Sequence, residues 1–123
     1  MRALLIDDSR TMRSILKRAL SPLGFEQFAE AGDGAEALVR LAELGAFDVA
    51  FVDWNMPNMN GLELVKAVRK NADYAEMKLV MCTTESDLQH VQSAMEAGAN
   101  EYVMKPFTPD MIGEKLSMIG VVS

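Results

Sequence analysis

The sequence predicts an open α/β fold: five βα units that form a parallel sheet with helices on both faces. Three observations predict it. Short apolar runs alternate with helix-period segments from one end of the chain to the other. Each run closes on a polar residue, as strands covered on both faces do, and this alternation builds right-handed βαβ units. Nothing resembling a linker, a repeat or a low-complexity segment divides the 123 residues, a length suited to one domain spanning 1–123.

The elements follow in order. Ala3-Leu4-Leu5-Ile6, ending at Asp7, is the first strand. Met12, Ile15, Leu16, Ala19 and Leu20 repeat at i, i+3, i+4, i+7 and i+8, one apolar stripe of a helix capped by Ser9 and stopped at Gly24. Phe25 to Ala31 alternates and carries charge, which marks an edge strand. Leu38, Leu41 and Ala42 supply the second helix, stopped at Gly45, and Val49-Ala50-Phe51-Val52 the third strand, ending at Asp53. Leu62, Val65 and Val68 make the third helix, and Leu79-Val80-Met81-Cys82 the fourth strand, ending at Thr83. Val91, Ala94, Met95 and Gly98 make the fourth helix, and Tyr102-Val103-Met104 the fifth strand, ending at Lys105. Ile112, Leu116 and Ile119 form the last helix, with Thr108 as its N-cap.

Composition narrows the functional classes. At 50% hydrophobic and 24% charged, the chain is far from a disordered composition. Its formal net charge of −6 is opposite in sign to the footprint of a nucleic-acid binder, so no nucleic-acid partner is expected. Cys82 is the only cysteine, which excludes an internal disulfide or a multi-cysteine metal site, and its strand position makes it a small inert hydrophobe. The apolar runs are too short for a membrane span or a signal peptide, so a cytoplasmic chain without membrane contact is expected. His90, the only histidine, is expected on the fourth helix away from every strand end, exposed or capping.

The chemistry-bearing residues stand just past the strands: Asp7 and Asp8 after the first, Asp53 after the third, Thr83 after the fourth, Lys105 after the fifth. In an open parallel sheet the carboxyl ends form the ligand-binding edge, so these residues converge in space. Carboxylates about 4 Å apart repel by roughly 4 kcal/mol per pair at an effective dielectric near 20, and a cation must relieve them. Hard oxygens too few for a complete cage fit Mg²⁺, which keeps several waters and leaves room for a phosphate. Lys105 can pair with a carboxylate at rest and with phosphoryl oxygens later, and Thr83 can donate to the same group. The set is suited to phosphoryl transfer.

Asp7-Asp8, Asp53-Trp54-Asn55-Met56-Pro57 with Gly61, Thr83-Thr84-Glu85, and Tyr102-Val103-Met104-Lys105-Pro106-Phe107 match one family in order and spacing. The chain resembles a two-component response-regulator receiver domain, nearest to the free-standing chemotaxis type, from Met1 to about Ile119. The resemblance implies a flavodoxin-like (βα)5 sandwich with strand order 2-1-3-4-5. It implies Asp53 as the acceptor of a phosphoryl group and a Mg²⁺ site made by Asp8, Asp53 and the main-chain carbonyl of Asn55, with Asp7 assisting through water. Thr83 and Lys105 would hold the phosphoryl oxygens, the Lys105-Pro106 bond would be cis, and Thr83 with Tyr102 would form the switch. The implied partners are a sensor histidine kinase or phosphotransfer protein, a downstream output protein such as the flagellar motor switch, and a phosphatase. The chain would then be a switch rather than a metabolic enzyme, catalysing only its own phosphorylation and slow dephosphorylation.

Thr84 and Glu85 sit where water or a dephosphorylating partner would approach Asp53, and Thr84 is bulkier than the Ala common there in the chemotaxis type. Met56 and Met59 are the methionines expected outside the core, and Trp54 is expected near water. A flavin or nucleotide binder on the same fold lacks support because neither GxGxxG nor GxxxxGK[ST] is present. A phosphohydrolase is disfavoured because Asp7-Asp8-Ser9 is not the spaced acidic pair such enzymes usually present. Met1 at the first strand and the short tail after Ile119 fit a free-standing chain better than a piece of a transcription factor.

Overall fold

The computed structural model describes residues 1–122, the side chains of Glu85 and Ser86 excepted. Its elements are β1 (Arg2–Ile6), α1 (Arg10–Leu20), β2 (Gln27–Ala31), α2 (Gly34–Leu44), β3 (Val49–Asp53), α3 (Gly61–Arg69), β4 (Lys78–Thr83), α4 (Val91–Ala97), β5 (Glu101–Met104) and α5 (Pro109–Met118). All neighbouring strands are parallel, in the order β2-β1-β3-β4-β5. This is the flavodoxin-like order the resemblance implies, with the charged strand β2 at one edge.

Successive strand residues point to opposite faces, and here both faces are covered. Leu4, Ile6, Ala50, Val52, Leu79 and Met81 pack with Leu41, Leu64, Val65, Val68 and Ala94 of α2, α3 and α4. Ala3, Leu5, Val49, Phe51, Val80 and Cys82 pack on the other side with Leu16, Ala19, Leu20, Ile112 and Leu116 of α1 and α5. That is why the strands read as unbroken apolar runs rather than as alternation.

The caps fall where expected: Ser9 Oγ accepts from the Met12 amide and Thr108 Oγ1 from the Met111 amide, each at 3.2 Å. Gly98 ends α4 at φ 121°, a left-handed geometry that favours glycine, with the Arg69 side chain against it. Two helix faces differ from the sequence reading. On α2 the buried residues are Gly34, Ala37 and Leu41, with Leu38 only partly buried and Ala42 exposed. An Ala- and Leu-rich helix offers two adjacent stripes, and the one that meets β1 and β2 lies one residue earlier. On α4, which follows a 3₁₀ turn over Glu85–His90, only Ala94 is buried and Met95 is exposed. Among the described residues no helix is long and apolar enough to cross a membrane.

Candidate active site

Strand order reverses at β1, which lies between β2 and β3, and in open parallel sheets ligands bind at such a point, outside the ends of the strands. Ile6 pairs in register with Val52, so Asp7 and Asp53 emerge side by side. Asp7 is 2% exposed and Asp53 9%, whereas Asp8 is exposed. One carboxylate oxygen from each of the three lies within 4.8 Å of the others.

Lys105 reaches this cluster from the end of β5. Its Nζ donates to Asp7 Oδ2 at 2.9 Å and to Asp53 Oδ1 at 3.0 Å, and the Lys105-Pro106 bond is cis as expected. Burial pushes the Asp53 carboxyl above its usual pKa; the Lys105 bond pulls the other way, while the charges of Asp7 and Asp8 push further up. For Lys105, burial acts to lower the pKa, but its bonds to Asp7 and Asp53 outweigh this and raise it. The ammonium stays charged because it is held between two carboxylates.

Asp7 has both carboxylate oxygens engaged, Oδ1 by the Ser9 amide at 2.9 Å and Oδ2 by Lys105. Asp8 has no side-chain partner among the described residues, and Asp53 has one oxygen beyond the one bonded to Lys105. The exposed Asn55 donates its side-chain amide to Asp87 Oδ2 at 3.1 Å, and among the described residues its main-chain carbonyl accepts no hydrogen bond. The donor set thus consists of hard oxygens with open positions and no nitrogen or sulfur, which fits a small divalent cation that keeps part of its water.

The loop after Asp53 is fastened on several sides. Asn58, in the left-handed region at φ 65°, donates to Asp33 Oδ2 at 2.8 Å, and the Gly34 amide donates to the Met59 carbonyl at 3.3 Å. At Gly61 a Cβ would stand 2.6 Å from the Asp53 carbonyl oxygen, so any side chain would push on the strand end that carries Asp53. Met56 and Met59 are packed against the core instead of forming an exposed patch.

Thr83, at the end of β4, is buried, and its Oγ1 donates to the Thr84 carbonyl at 3.2 Å rather than into the acidic cluster. Tyr102 on β5 is half-buried, with Lys115 Nζ 4.6 Å from the centre of its ring. Thr84 Oγ1 donates to Asp87 Oδ2 at 3.0 Å; the side chain of Glu85 lies outside the described residues.

Two contacts escaped the sequence reading. Trp54 is 9% exposed rather than near water, and it stacks on His90 with ring centroids 4.6 Å apart and planes 6° apart. His90 is therefore beside the residue following Asp53, not remote from the strand ends. Asp87 joins Asn55 to Thr84 across the same gap. Helical spacing placed His90 on the fourth helix, whereas the 3₁₀ turn before α4 carries it inward, and no spacing rule signals that.

A model of the response-regulator receiver domain family matches residues 3–117. The chain is 46% identical over 119 residues to chemotaxis protein CheY1 of Helicobacter pylori, covering 97% of this chain and 96% of the relative. It is 47% identical over 116 residues to the chemotaxis protein CheY homolog of Campylobacter jejuni, covering 94% and 89%. Among solved structures it is similar to chemotaxis protein CheY4 of Vibrio cholerae, with a TM-score of 0.86 at 35% identity, covering 96% of this chain and 97% of that one. Because the likeness runs through every βα unit and nearly the whole length of these relatives, the chain belongs to the response-regulator receiver family and to its CheY chemotaxis type.

Proposed function

We propose that Asp53 accepts a phosphoryl group from a sensor histidine kinase or phosphotransfer protein, and that the resulting acyl phosphate changes the affinity of the chain for an output protein. The observation that carries this reading is the single ammonium of Lys105 shared by Asp7 and Asp53, with Asp8 close by, at the sheet's switch point. In the transfer an Asp53 carboxylate oxygen forms the new bond to phosphorus as the bond to the donor atom breaks. Lys105, already beside Asp53, is placed to meet the phosphoryl oxygens, so catalysis is positioning plus electrostatics.

Asp8, the second oxygen of Asp53 and the Asn55 carbonyl would hold Mg²⁺, and Asp7, with both oxygens engaged, would assist through water. Bound there, Mg²⁺ would offset charge on the transferring group and align it for in-line attack. Thr83 would turn its hydroxyl from the Thr84 carbonyl to the phosphoryl group, and Tyr102 would follow, altering the face made by α4, β5 and α5. An output protein such as the flagellar motor switch would read that face, and a phosphatase would approach past Thr84 and Glu85. The chain then acts on no external substrate beyond its phosphodonor. The net charge of −6 supports a protein partner over nucleic acid or a membrane surface.

Incubation with acetyl phosphate and Mg²⁺ followed by intact-mass measurement tests the assignment. One added phosphoryl group is expected on wild type, and none with a chelator or in Asp53→Asn. Undiminished labelling of Asp53→Asn would overturn it.

A further inference from the structure

We infer that Arg13, on α1, is a positioning residue for the cation-binding carboxylates, acting through the peptide that joins Asp7 to Asp8; this rests on reading the acidic pocket as a Mg²⁺ site. The Arg13 side chain is largely buried, at 15% exposed. Its Nε donates to Glu30 Oε1 at 2.9 Å and its guanidinium donates to the main-chain carbonyl of Asp7. Glu30 is fixed in turn by β2 and by Lys17, whose Nζ lies 3.4 Å from the other carboxylate oxygen. The residue after Glu30, Ala31, accepts the Asp7 amide at 3.0 Å. The end of β2 thus holds Asp7 from both sides, directly at its N–H and through Arg13 at its carbonyl.

The carbonyl is the informative half. Peptide planarity makes the Asp7 carbonyl and the Asp8 amide one rigid unit, and rotation of that unit swings Asp8. Asp8 is exposed and has no side-chain partner among the described residues, so its backbone alone aims its carboxylate. Arg13 fixes that backbone at the point where aim is decided, as outer-shell groups orient metal ligands elsewhere. A surface arginine would pair with Glu30 equally well without reaching inward; here the fork spans both acceptors.

Electrostatics alone predicts the opposite result, which makes the idea testable. Removing a positive charge beside a cation site should tighten cation binding; removing a positioning group should loosen it. The experiment is calorimetric titration of Mg²⁺ into wild type, Arg13→Met and Arg13→Lys without a phosphodonor, alongside amide hydrogen exchange of the Mg²⁺-free proteins. Arg13→Met should bind Mg²⁺ about tenfold more weakly, with faster exchange at Asp7 and Ser9, whose amides are bonded to Ala31 and to the Asp7 carboxylate. Arg13→Lys should fall between, because an ammonium is a point charge that cannot reproduce the fork. Equal or tighter binding by Arg13→Met overturns the inference. If that variant does not fold, Arg13→Lys decides, since it keeps the charge and wild-type affinity would overturn the positioning role. Failure of wild type itself to bind Mg²⁺ overturns the reading of the pocket instead, which separates the two failures.

Discussion

Without Mg²⁺, Asp53→Asn is expected to melt above wild type at neutral pH. The Asp53 carboxylate has those of Asp7 and Asp8 within 4.8 Å, where each pair repels by about 3.5 kcal/mol at an effective dielectric near 20. Lys105, 3.0 Å away, attracts Asp53 by about 5.5 kcal/mol on the same scale. Asp8 is exposed and its share is screened, but burial of Asp53 adds a cost borne by the ionised form alone. The balance lies against the charge, in the direction of the raised Asp53 pKa. In Asp53→Asn, Lys105 keeps Asp7 as its partner, so neutralisation should stabilise the fold by about 1–2 kcal/mol, or roughly 3–10 °C for a domain of this size. The sign with pH follows from proton binding. Between the ordinary carboxyl value of 3.8 and the raised folded value, the native state holds more protons than the unfolded one. Wild-type stability therefore falls as pH rises through that window, and the deficit stays fully developed above it. Melting curves by circular dichroism with a chelator present, at acid and neutral pH, should show the two proteins converging in acid and separating at neutrality. A mutant melting at or below wild type at neutral pH would refute the argument, because Lys105 would then outweigh the crowding.

Lys105→Met leaves Asp7 and Asp53 without their shared cation, so the Mg²⁺-free protein should lose about 3–5 kcal/mol. The same variant should bind Mg²⁺ more tightly by calorimetry, and unchanged affinity would argue against competition for the same carboxylates. His90→Ala removes the ring stacked on Trp54, with an expected loss of about 1 kcal/mol and a red shift of tryptophan emission as water reaches the indole. An unshifted spectrum would mean the stack does not shield Trp54 in solution. Thr83→Ala should still be phosphorylated, yet beryllofluoride should no longer shift the amides of α4 and β5. Shifts as large as in wild type would disconnect Thr83 from the output face.

The strand runs and the residues that close them were legible because sheet topology alone brings carboxyl ends together. Asp7, Asp53 and Lys105 stand at strand ends and meet there, whereas Thr83 shares that edge with its hydroxyl turned to the Thr84 carbonyl. Helix faces were less legible where small residues made the stripe ambiguous, as on α2, or where a 3₁₀ turn replaced the first helical turn, as before α4. Side chains that bridge elements were not legible at all. Arg13 reads as one more surface arginine of an amphipathic helix, and its reach to Asp7 and Glu30 depends on how α1 packs beside the sheet. Trp54 and His90 meet although they lie on separate connections, and Arg69 at the end of α3 ties the α3–β4 connection, through the carbonyls of Tyr74 and Met77, to Gly98 after α4. Such contacts are set by packing distances, to which residue spacing is blind.

Borohydride trapping tests phosphorylation of Asp53 most directly. An acyl phosphate on aspartate is reduced by borohydride to homoserine, which tandem mass spectrometry locates within the chain. After incubation with acetyl phosphate and Mg²⁺, homoserine is predicted at position 53 alone and should be absent when a chelator is added first. Homoserine at Asp7 or Asp8, or undiminished trapping at Asp53 with the chelator present, would contradict the account.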